Sequence, residues 1–125
     1  MVFISTRKGT VEFPSADDAA EFVQAAAKEK DTFWVSGDEK YPCLAICTNA
    51  PYAAVHFFQS DTSDDAGNIW LSYNENNQKE VAFLAEGVEW NPTADVAISL
   101  EDAVLCIREF LSTGERPSCI QWQEL

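Results

Sequence analysis

Apolar residues recur at helical spacing in two stretches of the chain, each of which begins with a serine followed three residues later by an aspartate. That serine–aspartate pattern is typical of a helix N-cap, so the sequence predicts helices that start after Ser15 and Ser99. We expect the first helix to end within residues 28–30 and the second at Gly114, since glycine favours helix termination. The apolar positions are Ala19, Phe22, Val23, Ala26 and Ala27 in the first helix, and Leu100, Ala103, Val104, Ile107 and Leu111 in the second.

The segments outside these helices are rich in β-branched and aromatic residues and are bounded by turn residues, which predicts strands. A hairpin or one bent strand with Gly9 in the turn comes first, and a second hairpin follows the first helix. The segments are 2–5, 11–13, 32–35, 43–48, 52–59, 69–73, 80–85 and a short final strand at 120–122. The strand at 52–59 should lie in the centre of the sheet with both of its faces covered. Residues 86–99 should be irregular or weakly extended. We therefore predict an α+β fold, with two helices packed against an antiparallel meander.

Length and composition are those of one folded domain spanning residues 1–125. Apolar residues make up 46% of the 125 residues, far above the level of disordered chains. Apolar runs are much shorter than the roughly 20 residues that cross a bilayer, and the N-terminus lacks the pattern of a secretory signal. We expect a cytoplasmic protein without a membrane partner.

The charge of the chain limits the kinds of partner it can bind. Twenty-one acidic residues against eight basic ones give a formal net charge of −13. Nucleic acids and anionic membranes repel such a surface, whereas a basic protein is attracted to it. The acidity therefore favours a cationic partner, and solubility alone is the other explanation of it.

The sequence contains little that predicts catalysis or metal binding. His56 is the one histidine, and the four cysteines include no C-x-x-C pair. Cys43 and Cys47 are about 13 Å apart on a strand, too far for a disulfide, so we expect buried free thiols. The acidic segment 61–68 lacks the ligand spacing of a calcium-binding EF-hand loop, which favours a solvated turn. We expect no cofactor and no metal, and a Cys–His nucleophile stays open as an alternative.

Aromatic residues beside acidic ones provide candidates for contact with a partner protein. Tryptophans surrounded by polar residues are typical of interface hot spots, although each could equally belong to the core. The candidate contact residues are Asp61, Asp64, Asp65, Trp70, Glu75, Glu86, Glu89 and Trp90.

The last residues, 98–125, carry a more specific pattern: an apolar and acidic helix, an F-x-x-T/G-x-R-P turn and an apolar-x-W strand. It consists of Phe110, Thr113, Gly114, Arg116, Pro117, Ile120, Trp122 and Glu124. This ending resembles the signature of the first-numbered immunity-protein family of bacterial polymorphic toxin systems. It is also similar to the ending of the immunity protein paired with a double-stranded-DNA cytosine deaminase toxin. Before residue 98, the chain is similar to this family only in the order of its helices and strands.

The resemblance implies a non-enzymatic immunity protein that binds and occludes a cognate toxin domain, with a deaminase as one candidate. It implies structural roles for the signature: Trp122 anchors the last strand under the second helix, and Arg116 fixes the preceding turn. A basic toxin would match the acidic charge, and specificity would lie in variable loops. An acidic nucleic-acid mimic that regulates another basic protein is the main alternative, and a small Cys/His enzyme is the other. Oligomeric state is not predicted.

Overall fold

The structure is a computed structural model, and it describes residues 1–60 and 67–125. The helices are α1 (Ala16–Ala26) and α2 (Leu100–Thr113), and a 3-10 turn covers Ala94–Val96. The strands are β1 (Val2–Thr6), β2 (Gly9–Phe13), β3 (Asp31–Ser36), β4 (Cys43–Asn49), β5 (Tyr52–Phe58), β6 (Ile69–Tyr73), β7 (Phe83–Ala85), β8 (Val88–Trp90), β9 (Ile98–Ser99) and β10 (Gln121–Glu124).

Most of these strands form one antiparallel sheet. Its order, across the described ranges, is β10-β6-β5-β4-β3-β1-β2, and β9 pairs with the start of β5. Strands β1 and β2 make the predicted hairpin, with Gly9 at a φ of +123°. The two helices, the antiparallel sheet and the short C-terminal strand confirm the predicted α+β fold.

Both predicted helix N-caps are present. The Ser15 hydroxyl accepts a hydrogen bond from the Asp18 N–H, and the Ser99 hydroxyl accepts one from the Asp102 N–H, each at 3.1 Å. Gly114 ends α2 in the left-handed conformation, as glycine at this position allows. Helix α1 ends at Ala26, before the predicted residues 28–30, because β3 begins at Asp31 and the chain turns between the two elements.

The helices pack against one face of the sheet and bury the main core. Alternation along the strands directs one set of side chains to this face, which we call the inner face. The core members on the sheet include Ile4, Phe33, Val35, Leu44, Ile46, Val55 and Phe57, and those on the helices include Ala19, Ala20, Val23, Ala103, Val104, Cys106, Ile107 and Phe110. The apolar stripes of both predicted helices therefore face the sheet.

The opposite face, which we call the outer face, is covered in part by residues 81–97. Val81, Phe83 and Val96 pack there against Leu71 and Ala54. The prediction that residues 80–85 continue the meander is wrong, because β7 pairs with β8 in a separate two-stranded sheet. Strand β10 occupies the place beside β6 instead. Residues 86–99 are also more regular than predicted, since they contain β8, the 3-10 turn and β9.

Strand β5 lies between β4 and β6, as its apolar sequence predicts. Its first half is covered on both faces, with Ala53, Ala54 and Val55 fully buried. The second half is not, because His56 and Phe58 are only partly buried on the outer face. The prediction of two covered faces therefore holds for the first half alone. No helix in the described parts of the chain combines the length and the apolarity that bilayer crossing requires.

Candidate functional site

Four aromatic side chains form a continuous strip on the open half of the outer face. Strand register places Trp34, Ala45 and His56 opposite one another across β3, β4 and β5. Ala45 lies between Trp34 and His56 and is small. The Phe58 ring can therefore pack against both of these rings. The ring centroids are 5.5 Å apart for Trp34 and Phe58, 5.8 Å for Phe58 and His56, and 5.3 Å for His56 and Trp90. We call these four residues the aromatic strip.

The aromatic strip is partly open to solvent. Each of its four members is of intermediate burial, so part of every ring is accessible while the rest is packed. Trp90 also contacts Phe83, with centroids 6.0 Å apart, which connects the strip to the buried core of the outer face. Aromatic rings fixed in this way present apolar area at little cost in conformational entropy, as interface anchors do.

The hairpin of β7 and β8 forms one border of the strip. Its turn residues Glu86 and Gly87 both have positive φ, at +52° and +80°, the pattern of a type I′ hairpin turn. Glutamate rarely adopts this conformation. Here its carboxylate accepts a hydrogen bond from the Trp34 indole Nε1–H, which compensates for the strained backbone.

Further hydrogen bonds hold this hairpin on the sheet. The Thr32 hydroxyl donates to the Leu84 carbonyl at 2.7 Å and accepts from the Glu86 N–H at 3.1 Å. The Asn49 side-chain amide donates to the Ala82 carbonyl at 2.8 Å. The hairpin is therefore fixed by side chains of β3 and β4 as well as by the buried Phe83. Such an arrangement is organised before any partner binds.

A cavity of about 350 Å³ opens on the outer face beside Trp34. Its volume is enough for one large side chain of a partner. The residues lining it are Ser5, Trp34, Ser36, Lys40, Tyr41 and Cys43. The strip and the cavity share Trp34, so they form one continuous surface.

Exposed carboxylates lie on one border of this surface, where Glu86 and Glu89 belong to the hairpin. Glu39, in the loop between β3 and β4, borders a different cavity beside α2, and the cavity beside Trp34 is lined by Lys40. Across residues 1–60 and 67–125, the ion pairs are those of the N-terminal amine with Asp38 and of Arg108 with Asp17. Most of the acidic side chains within these ranges therefore have no ion-pair partner in the chain, and their charge is available to a basic molecule.

The titratable groups near the strip are not poised for nucleophilic catalysis. Burial lowers the pKa of His56 to about 4, so its imidazole is neutral at physiological pH. Burial raises the pKa of the Cys43 thiol to about 11 and also raises that of Cys47. An activated thiol needs the opposite shift. The part of the chain that the structure describes also contains no group of three His, Cys, Asp or Glu side chains placed to hold a metal ion.

The structure separates the predicted contact residues into several groups. Glu86, Glu89 and Trp90 lie together on the β7–β8 hairpin. Trp70 is partly buried against the core on the inner face, and Glu75 borders a different cavity beside Cys119. The predicted residues Asp61, Asp64 and Asp65 lie outside the described residues. Sequence reasoning did not assign Trp34 or Phe58 to a contact surface, and no spacing rule joins them to Trp90.

The C-terminal signature connects α2, β6 and β10. The Arg116 guanidinium lies over the Trp70 ring, 3.9 Å from its centroid. The Trp122 indole Nε1–H donates to the Pro117 carbonyl at 2.7 Å, and the Trp122 ring contacts Phe57 in the main core. Arg116 and Pro117 thereby connect the segment between α2 and β10 to β6 and to β10.

Two further members of the signature complete these contacts. The buried Phe110 ring on α2 packs edge-on against Phe57, with centroids 6.1 Å apart. The Glu124 carboxylate accepts a hydrogen bond from the Gly67 N–H, and β10 pairs with β6 in the same region. Arg116, Trp122 and Glu124 thus lie at the edge of the sheet that is farthest from β2, whereas Gly114 at the end of α2 borders the loop between β3 and β4.

Comparison with known proteins identifies the family. The model of a family described as Immunity protein Imm1 matches residues 7–124, which is nearly the whole chain. A search of curated proteins found no match. The family match extends well beyond the C-terminal signature and covers the strip, the hairpin and both helices. The chain therefore belongs to the Imm1 family of immunity proteins.

Proposed function

We propose that this immunity protein is a cytoplasmic antitoxin that binds a cognate toxin domain and blocks access of its substrate. The observation that carries the proposal is the family match over residues 7–124. The net charge of −13 supports a basic target. A toxin that acts on nucleic acid needs a positive groove for phosphates, and a deaminase is one toxin of this kind.

We propose further that the outer face is the surface that covers the toxin. The aromatic strip would supply anchors at the centre of the interface, and the cavity beside Trp34 would receive one toxin side chain. Glu86 and Glu89 would form part of an acidic rim that matches the potential of the toxin groove. Of the predicted contact residues, Glu86, Glu89 and Trp90 belong to this surface, whereas Trp70 and Glu75 would lie outside it.

Inhibition by this route requires no chemistry from the immunity protein. The neutral imidazole of His56 and the raised thiol pKa values of Cys43 and Cys47 support binding rather than catalysis. Occlusion needs only a stable complex that covers the substrate path, and a standard interface of roughly 1,600 Å² is large enough for this. The proposed activity is therefore steric and electrostatic.

The test is coexpression of the chain with the toxin encoded by the neighbouring gene. We expect growth to be rescued and the purified proteins to form a stable complex. If the neighbouring product neither binds the chain nor is inhibited by it, the antitoxin proposal fails. Capture from the native host of a basic protein that is not a toxin would favour the nucleic-acid mimic instead.

Two matched substitutions test which face binds. Val88 on the hairpin is 69% exposed and Leu105 on α2 is 49% exposed, so neither supports the core. Val88→Arg places a cation beside the strip and should weaken toxin binding at least about 30-fold, whereas Leu105→Arg should leave it unchanged. Equal affinities of the two variants, with rescue intact, would exclude the outer face but not the antitoxin function.

A further inference from the structure

Two cysteines that are distant from the outer face lie close to each other. The Sγ atoms of Cys106 and Cys119 are 3.4 Å apart. Cys106 is fully buried on α2, whereas Cys119 is exposed in the segment between α2 and β10. The expectation that every thiol is buried is therefore wrong for Cys119. The separation exceeds an S–S bond of about 2.05 Å by little more than one ångström, which a small movement of the exposed segment can close.

We propose that Cys106 and Cys119 form a reversible disulfide by exchange with a low-molecular-weight disulfide such as glutathione disulfide. The Cys119 thiolate attacks the reagent, forms a mixed disulfide and releases one glutathione thiolate. The Cys106 thiolate then attacks the Cys119 sulfur and releases the second. The two thiol protons pass to the released thiolates, so two cysteines are oxidised and one glutathione disulfide is reduced to two glutathione molecules.

The surroundings of the two thiols determine the order of these steps. Cys119 is accessible, so it reacts first, and Cys106 meets no reagent except through Cys119. Burial raises the pKa of both thiols, and the nearby Asp102 and Glu109 carboxylates raise both pKa values further. Thiolate is the reacting form, so the exchange is slow near neutral pH and becomes faster as the pH rises.

The bond would connect α2 to the segment that carries the C-terminal signature. This segment holds Arg116 over Trp70 and Pro117 against Trp122, and it leads directly into β10. Strand β10 is the last strand of the sheet on its side. A covalent connection before an edge strand restricts its detachment and lowers the entropy of the unfolded chain. Oxidation should therefore raise the melting temperature by about 5 °C or more.

Tryptic peptides distinguish this pair from the other two cysteines. Cleavage after Arg108 puts Cys106 and Cys119 on separate peptides, 80–108 and 109–125. The second stays in one piece because trypsin does not cut the bond between Arg116 and Pro117. Cys43 and Cys47 share a third peptide. The folded chain is equilibrated in glutathione buffers of graded ratio, quenched with acid, alkylated and analysed by mass spectrometry. We expect peptides 80–108 and 109–125 to become joined, while peptide 41–79 stays fully alkylated.

The variants separate the disulfide from other oxidation products. Cys119→Ser changes an exposed position and should abolish the linked peptide and the rise in melting temperature. Cys43→Ser should retain both. Accumulation of Cys119 as a glutathione adduct with Cys106 still reduced would overturn the proposal, and so would full alkylation of both under oxidising conditions. The measurement needs no toxin, so it is independent of the proposed function.

Discussion

The Trp34 indole donates a hydrogen bond to the Glu86 carboxylate across a separation of 52 residues. This contact joins the middle of the sheet to the tip of the hairpin, where the Glu86 backbone has a φ of +52°. The Arg7 side chain also approaches this tip, since a Cβ at position 87 would lie 3.4 Å from its Cζ. A strained turn is thus held at the border of the aromatic strip by residues from distant parts of the chain.

Substitution of Glu86 separates the strain from the hydrogen bond. Glu86→Ala loses the bond and leaves the backbone strain unchanged, so we expect a loss of about 2 kcal/mol in the free energy of unfolding from the bond alone. Glu86→Gly loses the bond but relieves the backbone, and its cost should be about 1 kcal/mol smaller. Urea denaturation measures both values. Equal losses in the two variants would show that the turn carries no strain.

Glu89 provides a test of the acidic rim that leaves the fold unchanged. The side chain is exposed, so Glu89→Gln should leave the free energy of unfolding nearly unchanged. It should slow association with the toxin several-fold at low salt and have little effect on dissociation, because rim charges act mainly on encounter. Stopped-flow measurements over a range of salt concentrations provide both rates. Glu21→Gln, on the exposed face of α1, is the control and should change neither rate.

His56 makes the stability of the fold depend on pH. Its pKa is lowered from 6.5 to about 4 by burial, so the unfolded chain binds this proton more readily than the folded one between those values. The contribution of neutral His56 to the free energy of unfolding is complete above pH 6.5 and is lost as the pH falls toward 4. The loss by pH 4 should be about 3 kcal/mol.

A comparison with His56→Phe isolates this contribution, because the carboxylates titrate in both proteins. Phenylalanine keeps an aromatic ring between Phe58 and Trp90 and carries no proton to titrate. The free energy of unfolding of the original chain should decrease more steeply than that of the variant from pH 6.5 to pH 4. Parallel curves would show that His56 is readily protonated in the folded state. His56→Gln serves as a second variant if phenylalanine perturbs the packing.

Local patterns predicted the elements that depend on local chemistry. The two serine caps, the stop at Gly114 and the hairpin around Gly9 all occur in the structure, because capping and turn formation involve residues that are close in the chain. The α+β class followed from the same patterns. The residues of the C-terminal signature indicated the family, and the family match over nearly the whole chain confirms it.

The partner of a strand was less predictable than its existence. Residues 80–85 have the composition of a strand, yet β7 leaves the meander and covers the outer face, while β10 pairs with β6. Alternation of apolar residues shows that a segment has a face to bury, but it does not specify which other face covers it. That choice depends on the packing of the whole domain, here on Phe83 and Val96 against Leu71 and Ala54.

The sequence by itself determined the class of fold, the ends of α2, the acidic charge and the family, because each depends on local pattern or on composition. Tertiary structure alone decided which residues meet. Trp34, Phe58 and Trp90 come from separate strands, and their contact results from sheet register and from the docking of the hairpin. The approach of Cys106 to Cys119 likewise depends on how the segment after α2 folds back. Contacts between residues distant in sequence are set by the packing of the complete core, which no local spacing encodes.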